Sequence, residues 1–210
     1  MTKKDKTLKI IEILKGIYAD AICSLRYDRD YELLFATRLA AQCTDARVNI
    51  VTKVLFEKYR LLEDIAAADI GEVESIVKPC GFYKMKARDI ILASQMLISD
   101  FSSRVPDSME ELLKLPGVGR KTANLILGDI YGKPSIVCDT HCIRITNRLG
   151  LTTTKDPFKT EMELKKILPA KESGDFCHRL VLFGRDTCKA RSPVCEVCPL
   201  SGLCVYYLKF

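Results

Sequence analysis

Four closely spaced cysteines form the clearest candidate site for a metal or cofactor in the sequence. Within 17 residues the pattern C-x6-C-x2-C-x5-C is made by Cys188, Cys195, Cys198 and Cys204. Four thiolates suit either zinc or an iron–sulfur cluster. Structural zinc sites usually pair two C-x2–4-C units, whereas this segment has one such unit and no histidine. The spacing therefore favours a [4Fe-4S] cluster. Lys189 and Arg191, between the first two cysteines, offer positive charge to phosphates or to solvent.

The sequence L-L-K-L-P-G-V-G-R-K-T-A-N has the residues of an anion-binding turn. We predict that one helix ends near Leu115 and that a second begins at about Arg120. Gly117 and Gly119 would form the tight turn between them, with Val118 tucked inward. Exposed amides of the turn and the positive end of the second helix would attract a phosphate. The pattern is typical of the helix-hairpin-helix motif, which holds a DNA phosphate without reading bases; the alternative is an ordinary helix connection.

Lys121 and Asp139 are the candidates for covalent and acid–base chemistry. Lys121 falls in the first turn of a helix, where the helix dipole disfavours an ammonium group and so favours a nucleophilic amine. A simpler role for Lys121 is contact with a phosphate beside Arg120, and its position in the sequence alone favours that role. Asp139 is placed as the N-cap of a following helix, where a carboxylate could stabilise a developing cation or transfer a proton. Lys121 and Asp139 lie 18 residues apart, so the two helix N-termini could face one cleft.

The elements that would position these residues are helical. Apolar residues recur at helical spacing in four stretches, which are 10–22, 33–40, 48–59 and 90–97. Thr44 or Asp45 is expected to cap the third stretch, and Pro106 is expected to open a short helix through Leu113. No stretch alternates apolar and polar residues between turn signals, so we predict an all-α fold. Residues 131–134, Y-G-K-P, mark a candidate domain crossing.

Composition and charge set the broad class of the protein. The chain has 33 Lys and Arg against 27 Asp and Glu, a net charge of +6 that suits nucleic-acid binding and many other functions. The sequence lacks a long apolar run and a signal peptide, so we expect a cytoplasmic protein without membrane association. We expect the remaining cysteines to be buried free thiols of a reducing compartment, and these are Cys23, Cys43, Cys80, Cys138, Cys142 and Cys177.

Three signatures in a fixed order give the chain a family resemblance. They are L-P-G-V-G-R-K-T-A-N at 115–124, V-C-D-T-H at 137–141 and the cysteine pattern, with A-Q-C-T-D at 41–45 as a fourth. Over essentially its whole length the chain resembles the endonuclease III family, which are DNA glycosylases of base excision repair. The resemblance implies two helical domains that flank a DNA-binding cleft. Residues 22–132 would form a six-helix domain with the hairpin, and 1–21 plus 133–210 would form the iron–sulfur domain.

The resemblance also implies roles for individual residues. The position of Lys121 alone favours a phosphate contact. The resemblance implies instead that Lys121 is the nucleophile that attacks C1′ of a flipped nucleotide. Asp139 would be its catalytic carboxylate, and a Schiff base with Lys121 would permit β-elimination. Gln42 would fill the space that the flipped nucleotide leaves in the base stack. Phe82 lies in the loop that corresponds to the wedge loop of the family. Further DNA contacts would come from Gly117, Val118, Gly119, Arg120, Thr122, Lys189 and Arg191.

The substrates implied by the resemblance are oxidised pyrimidines, such as thymine glycol, and abasic sites in double-stranded DNA. The protein would act as a monomer in the bacterial cytoplasm, associated with the nucleoid, and its cluster would be structural or redox-modulating. Three alternatives stay open: a monofunctional mismatch glycosylase, a non-catalytic damage-binding iron–sulfur protein, and a zinc-dependent module. Lys121 argues against the first, and Lys121 with Asp139 weighs against the second. The sequence does not assign a role to Arg38, Cys138 or Cys142.

Overall fold

The computed structural model describes residues 1–209; Phe210, the last residue of the second expected domain, lies outside the described residues. Every regular element over this range is helical, which confirms the predicted all-α class. None of the described helices is long and apolar enough to cross a membrane. Eleven α-helices occur in the described residues, and they are α1 Lys3–Ile17, α2 Asp30–Leu39, α3 Asp45–Lys58, α4 Leu62–Ala66, α5 Ile70–Val77, α6 Tyr83–Phe101, α7 Met109–Leu112, α8 Arg120–Asp129, α9 Thr140–Arg148, α10 Pro157–Lys165 and α11 Ser173–Asp186.

Two compact units make up the described chain. Unit 2 runs from Cys23 to Tyr131 and contains α2 to α8, and unit 1 joins Met1–Ile22 to the residues from Gly132 onward. In unit 2 the long helix α6 packs against α2, α4 and α5. In unit 1 helix α11 packs against α1 and α9. The fully buried side chains of its core include Leu14, Ile145 and Phe176, and each contributes about 1.5–3 kcal/mol through burial.

Local signals place most helix starts where the sequence predicts them. Thr44 caps α3, and its hydroxyl accepts a hydrogen bond from the Arg47 amide at 3.4 Å. Helix α8 begins at Arg120 as expected. The first helix, however, ends at Ile17, so Ile22 lies outside it and is largely exposed, contrary to the periodicity that placed it in the helix. The helix before the glycine turn ends at Leu112 rather than near Leu115, because residues 113–116 form turns.

Candidate functional site

The glycine turn of unit 2 has a backbone that demands glycine at one position. Gly117 has φ +74°, a left-handed conformation that L side chains rarely adopt. The Val118 amide donates to the Leu115 carbonyl at 3.1 Å and closes the turn, with the Val118 side chain half-buried. Gly119, in extended conformation, is the N-cap of α8. The turn therefore leads directly into a helix N-terminus, where the first backbone N–H groups have no acceptor within the helix.

An ion pair supports this turn from within unit 2. The Arg38 guanidinium donates to Asp89 Oδ2 through Nε at 2.7 Å and through Nη2 at 2.6 Å. Both side chains are about four-fifths buried, with 18% and 19% of their surface exposed. A Cβ atom added at Gly117 would lie 2.6 Å from Arg38 Nε and 2.7 Å from Asp89 Oδ2. Arg38 thus packs beneath the turn and pairs with Asp89, which resolves the role that the sequence left open.

Helix α8 presents the predicted nucleophile on its first turn. Lys121 is exposed, whereas Arg120 and Thr122 beside it are half-buried. The next turn of the helix is enclosed by the rest of the protein, since every residue of the run Ala123–Leu127 is buried. The Gly119 carbonyl accepts the Ala123 amide at 2.9 Å, the first hydrogen bond of the helix. The lysine is therefore held on a rigid element but is itself open to solvent.

Asp139 caps helix α9 in unit 1, as the sequence predicted. Its Oδ1 accepts a hydrogen bond from the Cys142 amide at 2.7 Å, and its own amide donates to the Val137 carbonyl at 3.0 Å. The side chain is half-buried between the buried residues Cys138 and Cys142. The hydrogen bond to Oδ1 restrains the carboxylate at the N-terminus of α9.

Two loops of unit 2 carry the residues expected to enter the DNA stack. Gln42, at φ 56°, follows α2, and Phe82, at φ 49°, directly precedes α6. A left-handed conformation costs a non-glycine residue roughly 1–2 kcal/mol. Phe82 exposes 64% of its surface, an unusual degree for a large aromatic side chain, and Gln42 is also exposed. Both loops therefore hold a strained residue that projects its side chain outward.

The four clustered cysteines line a single pocket in unit 1. The pocket has a volume of about 380 Å³ including its open mouth, and its other lining residues include Leu149, Phe183 and Leu200. Burial raises the pKa of the Cys198 thiol, and the neighbouring thiols of Cys188, Cys204 and Cys195 raise it further. Among residues 1–209 no three His, Cys, Asp or Glu side chains converge tightly enough to hold one metal ion. Four thiols that line one pocket match the four-cysteine ligand set of a [4Fe-4S] cluster.

Arginines of α9 hold the segment that carries these cysteines. Arg148 Nη1 donates to Cys188 Sγ at 3.3 Å and to the Lys189 carbonyl at 2.8 Å, and Nη2 donates to the Ala190 carbonyl at 2.8 Å. Arg144 Nη2 donates to the Cys188 carbonyl at 2.9 Å. A guanidinium thus lies beside one of the four sulfur atoms, a contact of the kind that tunes a metal centre.

The basic residues of this segment are placed at the surface. Lys189 and Arg191 are both exposed, and both lie between Cys188 and Cys195. The guanidinium of Arg148 also lies over the Tyr206 ring, 4.7 Å from its centroid. The backbone of the loop is therefore fastened from one side, while its charged side chains point to solvent.

The expectation of buried thiols for the other cysteines holds for four of the six. Cys80, Cys138, Cys142 and Cys177 are buried, whereas Cys23 and Cys43 are only half-buried. Burial raises the pKa of the Cys23 thiol to about 12 and that of Cys80 to about 11. These thiols therefore stay protonated and unreactive at neutral pH.

Sequence reasoning missed four residues that support the site: Lys86, Asp89, Arg144 and Arg148. Lys86 is almost fully buried on α6 and donates hydrogen bonds to three backbone carbonyls. One signal in the sequence could have revealed it. Lys86 occupies the same helical stripe as the buried residues Ile90, Ala93 and Leu97, where a lysine is out of place.

Comparison with known families agrees with this geometry. The family model described as HhH-GPD superfamily base excision DNA repair protein matches residues 35–170. The iron–sulfur binding domain of endonuclease III matches residues 188–204, the segment from Cys188 to Cys204. These matches place the chain in the HhH-GPD superfamily of base excision DNA repair proteins.

Individual relatives narrow the assignment. Endonuclease III of Bacillus subtilis is 44% identical over 195 residues, 92% of this chain and 89% of the relative. Endonuclease III of Synechocystis is 42% identical over 204 residues, 97% of this chain and 93% of the relative. A solved structure of a trapped endonuclease III–DNA covalent intermediate superposes with a TM-score of 0.93 at 43% identity, covering 100% of this chain and 99% of that one. The chain belongs to the endonuclease III family, and it is a base excision repair DNA glycosylase with a [4Fe-4S] cluster.

Proposed function

We propose that the chain removes oxidised pyrimidines from double-stranded DNA and then cleaves the strand at the abasic site. One observation carries the proposal: a lysine in the first turn of α8, directly after the glycine turn, and a carboxylate that caps α9. Lys121 supplies the nucleophile and Asp139 the carboxylate. The partner of the protein is accordingly DNA that contains damaged bases or abasic sites.

DNA is held mainly through its phosphates. The turn from Gly117 to Gly119 and the N-terminus of α8 offer backbone N–H groups, and Arg120 and Thr122 add side-chain donors there. Lys189 and Arg191 add positive charge from the cysteine segment. A net charge of +6 strengthens this attraction at low salt. None of these contacts reads the base sequence, which suits an enzyme that must search all of the DNA.

Extrusion of the damaged nucleotide precedes the chemistry. Phe82 projects from its loop and is suited to wedge between base steps, and Gln42 is suited to fill the space left by the extruded nucleotide. Extrusion costs a few kcal/mol in an intact duplex and less for a damaged base. The cost thus contributes to selection of damaged sites.

The covalent step uses the amine of Lys121. The Nζ lone pair forms a bond to C1′, and the bond from C1′ to the base breaks as the base leaves with its electron pair and takes up a proton. Asp139 stabilises the positive charge that develops on the sugar and accepts the proton released by the attacking nitrogen. The sugar ring then opens and leaves a Schiff base between Nζ of Lys121 and C1′. Loss of the C2′ proton expels the 3′ phosphate. Hydrolysis of the Schiff base frees the lysine.

The [4Fe-4S] cluster is held by Cys188, Cys195, Cys198 and Cys204. When bound, it crosslinks a segment that has little regular structure of its own and so fixes the loop with Lys189 and Arg191. We propose that unit 2, Cys23–Tyr131, is the hairpin domain expected over 22–132, and that unit 1 is the iron–sulfur domain expected over 1–21 plus 133–210, with the boundaries shifted by one residue. We place the protein in the bacterial cytoplasm, as a monomer associated with the nucleoid.

A panel of duplexes tests the proposal. Each duplex carries one thymine glycol, one abasic site, one G:T mismatch or one adenine opposite 8-oxoguanine. We expect base release with strand cleavage at thymine glycol and cleavage at the abasic site, with the mismatched duplexes left intact. Base removal from a mismatch without strand cleavage would instead identify a monofunctional mismatch glycosylase. Tight binding without release of any base would identify a damage-binding protein.

A further inference from the structure

Lys86 is a buried lysine that the proposed chemistry does not use. It lies near the start of α6, and only 1% of its surface is exposed. Its ammonium group donates to three backbone carbonyls, those of Leu39 at 2.8 Å, Ala41 at 2.7 Å and Cys80 at 2.8 Å. An ammonium group has three N–H donors. Each donor of Lys86 therefore has its own carbonyl acceptor.

The three carbonyls belong to two different loops. Leu39 and Ala41 lie where α2 ends, directly before Gln42, and Cys80 lies two residues before Phe82. Gln42 and Phe82 both adopt left-handed backbone conformations, and such residues persist only where the surrounding structure holds them. One side chain thus connects the two loops that display these strained residues.

The chemistry of the contact suits a lysine in particular. An ammonium group buried without partners is strongly unfavourable, and here three carbonyl oxygens replace its water. The carbonyls of Leu39 and Ala41 lie at the C-terminal end of α2, where the negative end of the helix dipole favours a cation. An apolar residue of similar length, such as methionine, would leave all three carbonyls without a donor, and a glutamine offers at most two N–H groups. The contact is therefore specific to the ammonium group and not only to the volume of the side chain.

We propose that Lys86 is a positioning residue for base extrusion. It fixes the loops of Gln42 and Phe82 relative to each other, so that both side chains enter the duplex in one event. The inference rests on the proposed function, which gives Gln42 and Phe82 their places in the DNA stack. Lys86 serves the unstacking step and takes no part in bond formation at Lys121.

The proposal is tested by separating extrusion from covalent chemistry. Lys86→Met and Lys86→Gln are compared with wild type on duplexes with one thymine glycol or one abasic site, in single-turnover kinetics. A 2-aminopurine beside the lesion reports unstacking by its fluorescence. We expect Lys86→Met to slow base removal by about 100-fold, the effect of a small misplacement, with a clearly smaller loss at the abasic site, where no base is extruded. The fluorescence rise at saturating protein should shrink in parallel, and Lys86→Gln should be intermediate.

Lys53→Met is the matched control, because it removes one lysine charge from an exposed position on α3 where 75% of the side chain is accessible. It should behave as wild type in both assays. Equal losses on the two substrates with an unchanged fluorescence rise would overturn the proposal, and so would wild-type kinetics in Lys86→Met. Unfolding of both Lys86 variants in thermal melts would assign the residue to stability alone and overturn it too. Failure of the proposed function is distinct, since wild-type protein would then release no base.

Discussion

The glycine turn of unit 2 and the cysteine segment of unit 1 are positioned by different means. The turn is fixed by the chain itself, through the backbone hydrogen bond from Val118 to Leu115 and the ion pair of Arg38 and Asp89 beneath it. The cysteine segment 188–204 contains only one short 3₁₀ turn, Ser201–Leu203, and surrounds a pocket of about 380 Å³. The comparison indicates that the turn is pre-organised by packing, whereas the cysteine segment is held from one side by arginines of α9, and we expect its cofactor to supply the remaining support.

The largest difference between the glycine turn and the cysteine segment should appear when one cluster ligand is removed. Cys198→Ser removes one thiolate from the pocket, so we expect loss of the absorbance near 400 nm and a large loss of stability in unit 1. Structural metal centres contribute folding free energy directly. Hydrogen exchange should then speed up around 188–204 while amides of α6 and α8 keep their protection.

Cys23→Ser is the control for that experiment, because Cys23 is half-buried and lies outside the ligand set. It should keep both the absorbance and the exchange pattern. Equal loss of protection in unit 2 of Cys198→Ser would contradict the distinction between the regions.

A methyl group at Gly117 should damage the turn itself. Gly117→Ala would force a side chain into φ +74° and within 2.7 Å of Asp89 Oδ2. We expect a loss of stability of more than the roughly 1–2 kcal/mol that left-handed strain alone costs, with weaker DNA binding, measured by thermal melts and fluorescence anisotropy.

Gly119→Ala provides the structural comparison for that variant. A Cβ at Gly119 meets no atom within 4 Å, and the backbone there is extended. Alanine is a poorer N-cap than glycine, so a modest loss is expected, but the melting temperature should fall clearly less than that of Gly117→Ala. If the two alanine variants melted at the same temperature, the close packing beneath Gly117 would have no energetic role.

Replacement of Arg148 tests whether the residue that holds the cysteine segment also affects the reduction potential of the cluster. Arg148→Met removes a cation and a hydrogen bond from Cys188 Sγ. Both interactions favour the more negative, reduced cluster, so the reduction potential of the cluster should fall. Voltammetry of the loaded protein measures this directly. Arg185→Met, an exposed arginine of α11, is the control, and an equal shift in both variants would contradict a local effect.

Lys189 should give the smallest effect. Each phosphate contact changes the slope of log affinity against log salt by about −0.9. Lys189→Ala should therefore make that slope shallower by about one contact while stability stays the same. An unchanged slope would remove Lys189 from the DNA interface.

The features that the sequence predicted correctly are local. The N-caps at Thr44 and Asp139 and the start of α8 at Arg120 depend on residues within one helical turn. The [4Fe-4S] cofactor was also predictable, because the spacing of the four cysteines is a local feature of one segment. Ile22 was misplaced because an apolar residue at helical spacing does not by itself continue a helix.

The supporting contacts were not predictable from the sequence because they join distant positions. Lys86 is 47 residues from Leu39, and Arg38 is 51 residues from Asp89. Neither pair shares a helix face or a motif, so only the tertiary fold brings them together. The residues proposed for the chemistry were thus recognisable from the sequence, while the long-range contacts of Lys86 and Arg38 required the structure.

Borohydride trapping tests the central assignment most directly. Wild-type protein and Lys121→Ala are each incubated with a duplex that carries one thymine glycol, and borohydride reduces any Schiff base to a stable amine. We predict a covalent protein–DNA band with wild type and none with Lys121→Ala, although the variant still binds the duplex. A trapped band of equal strength with Lys121→Ala would contradict the account, because another amine would then be the nucleophile.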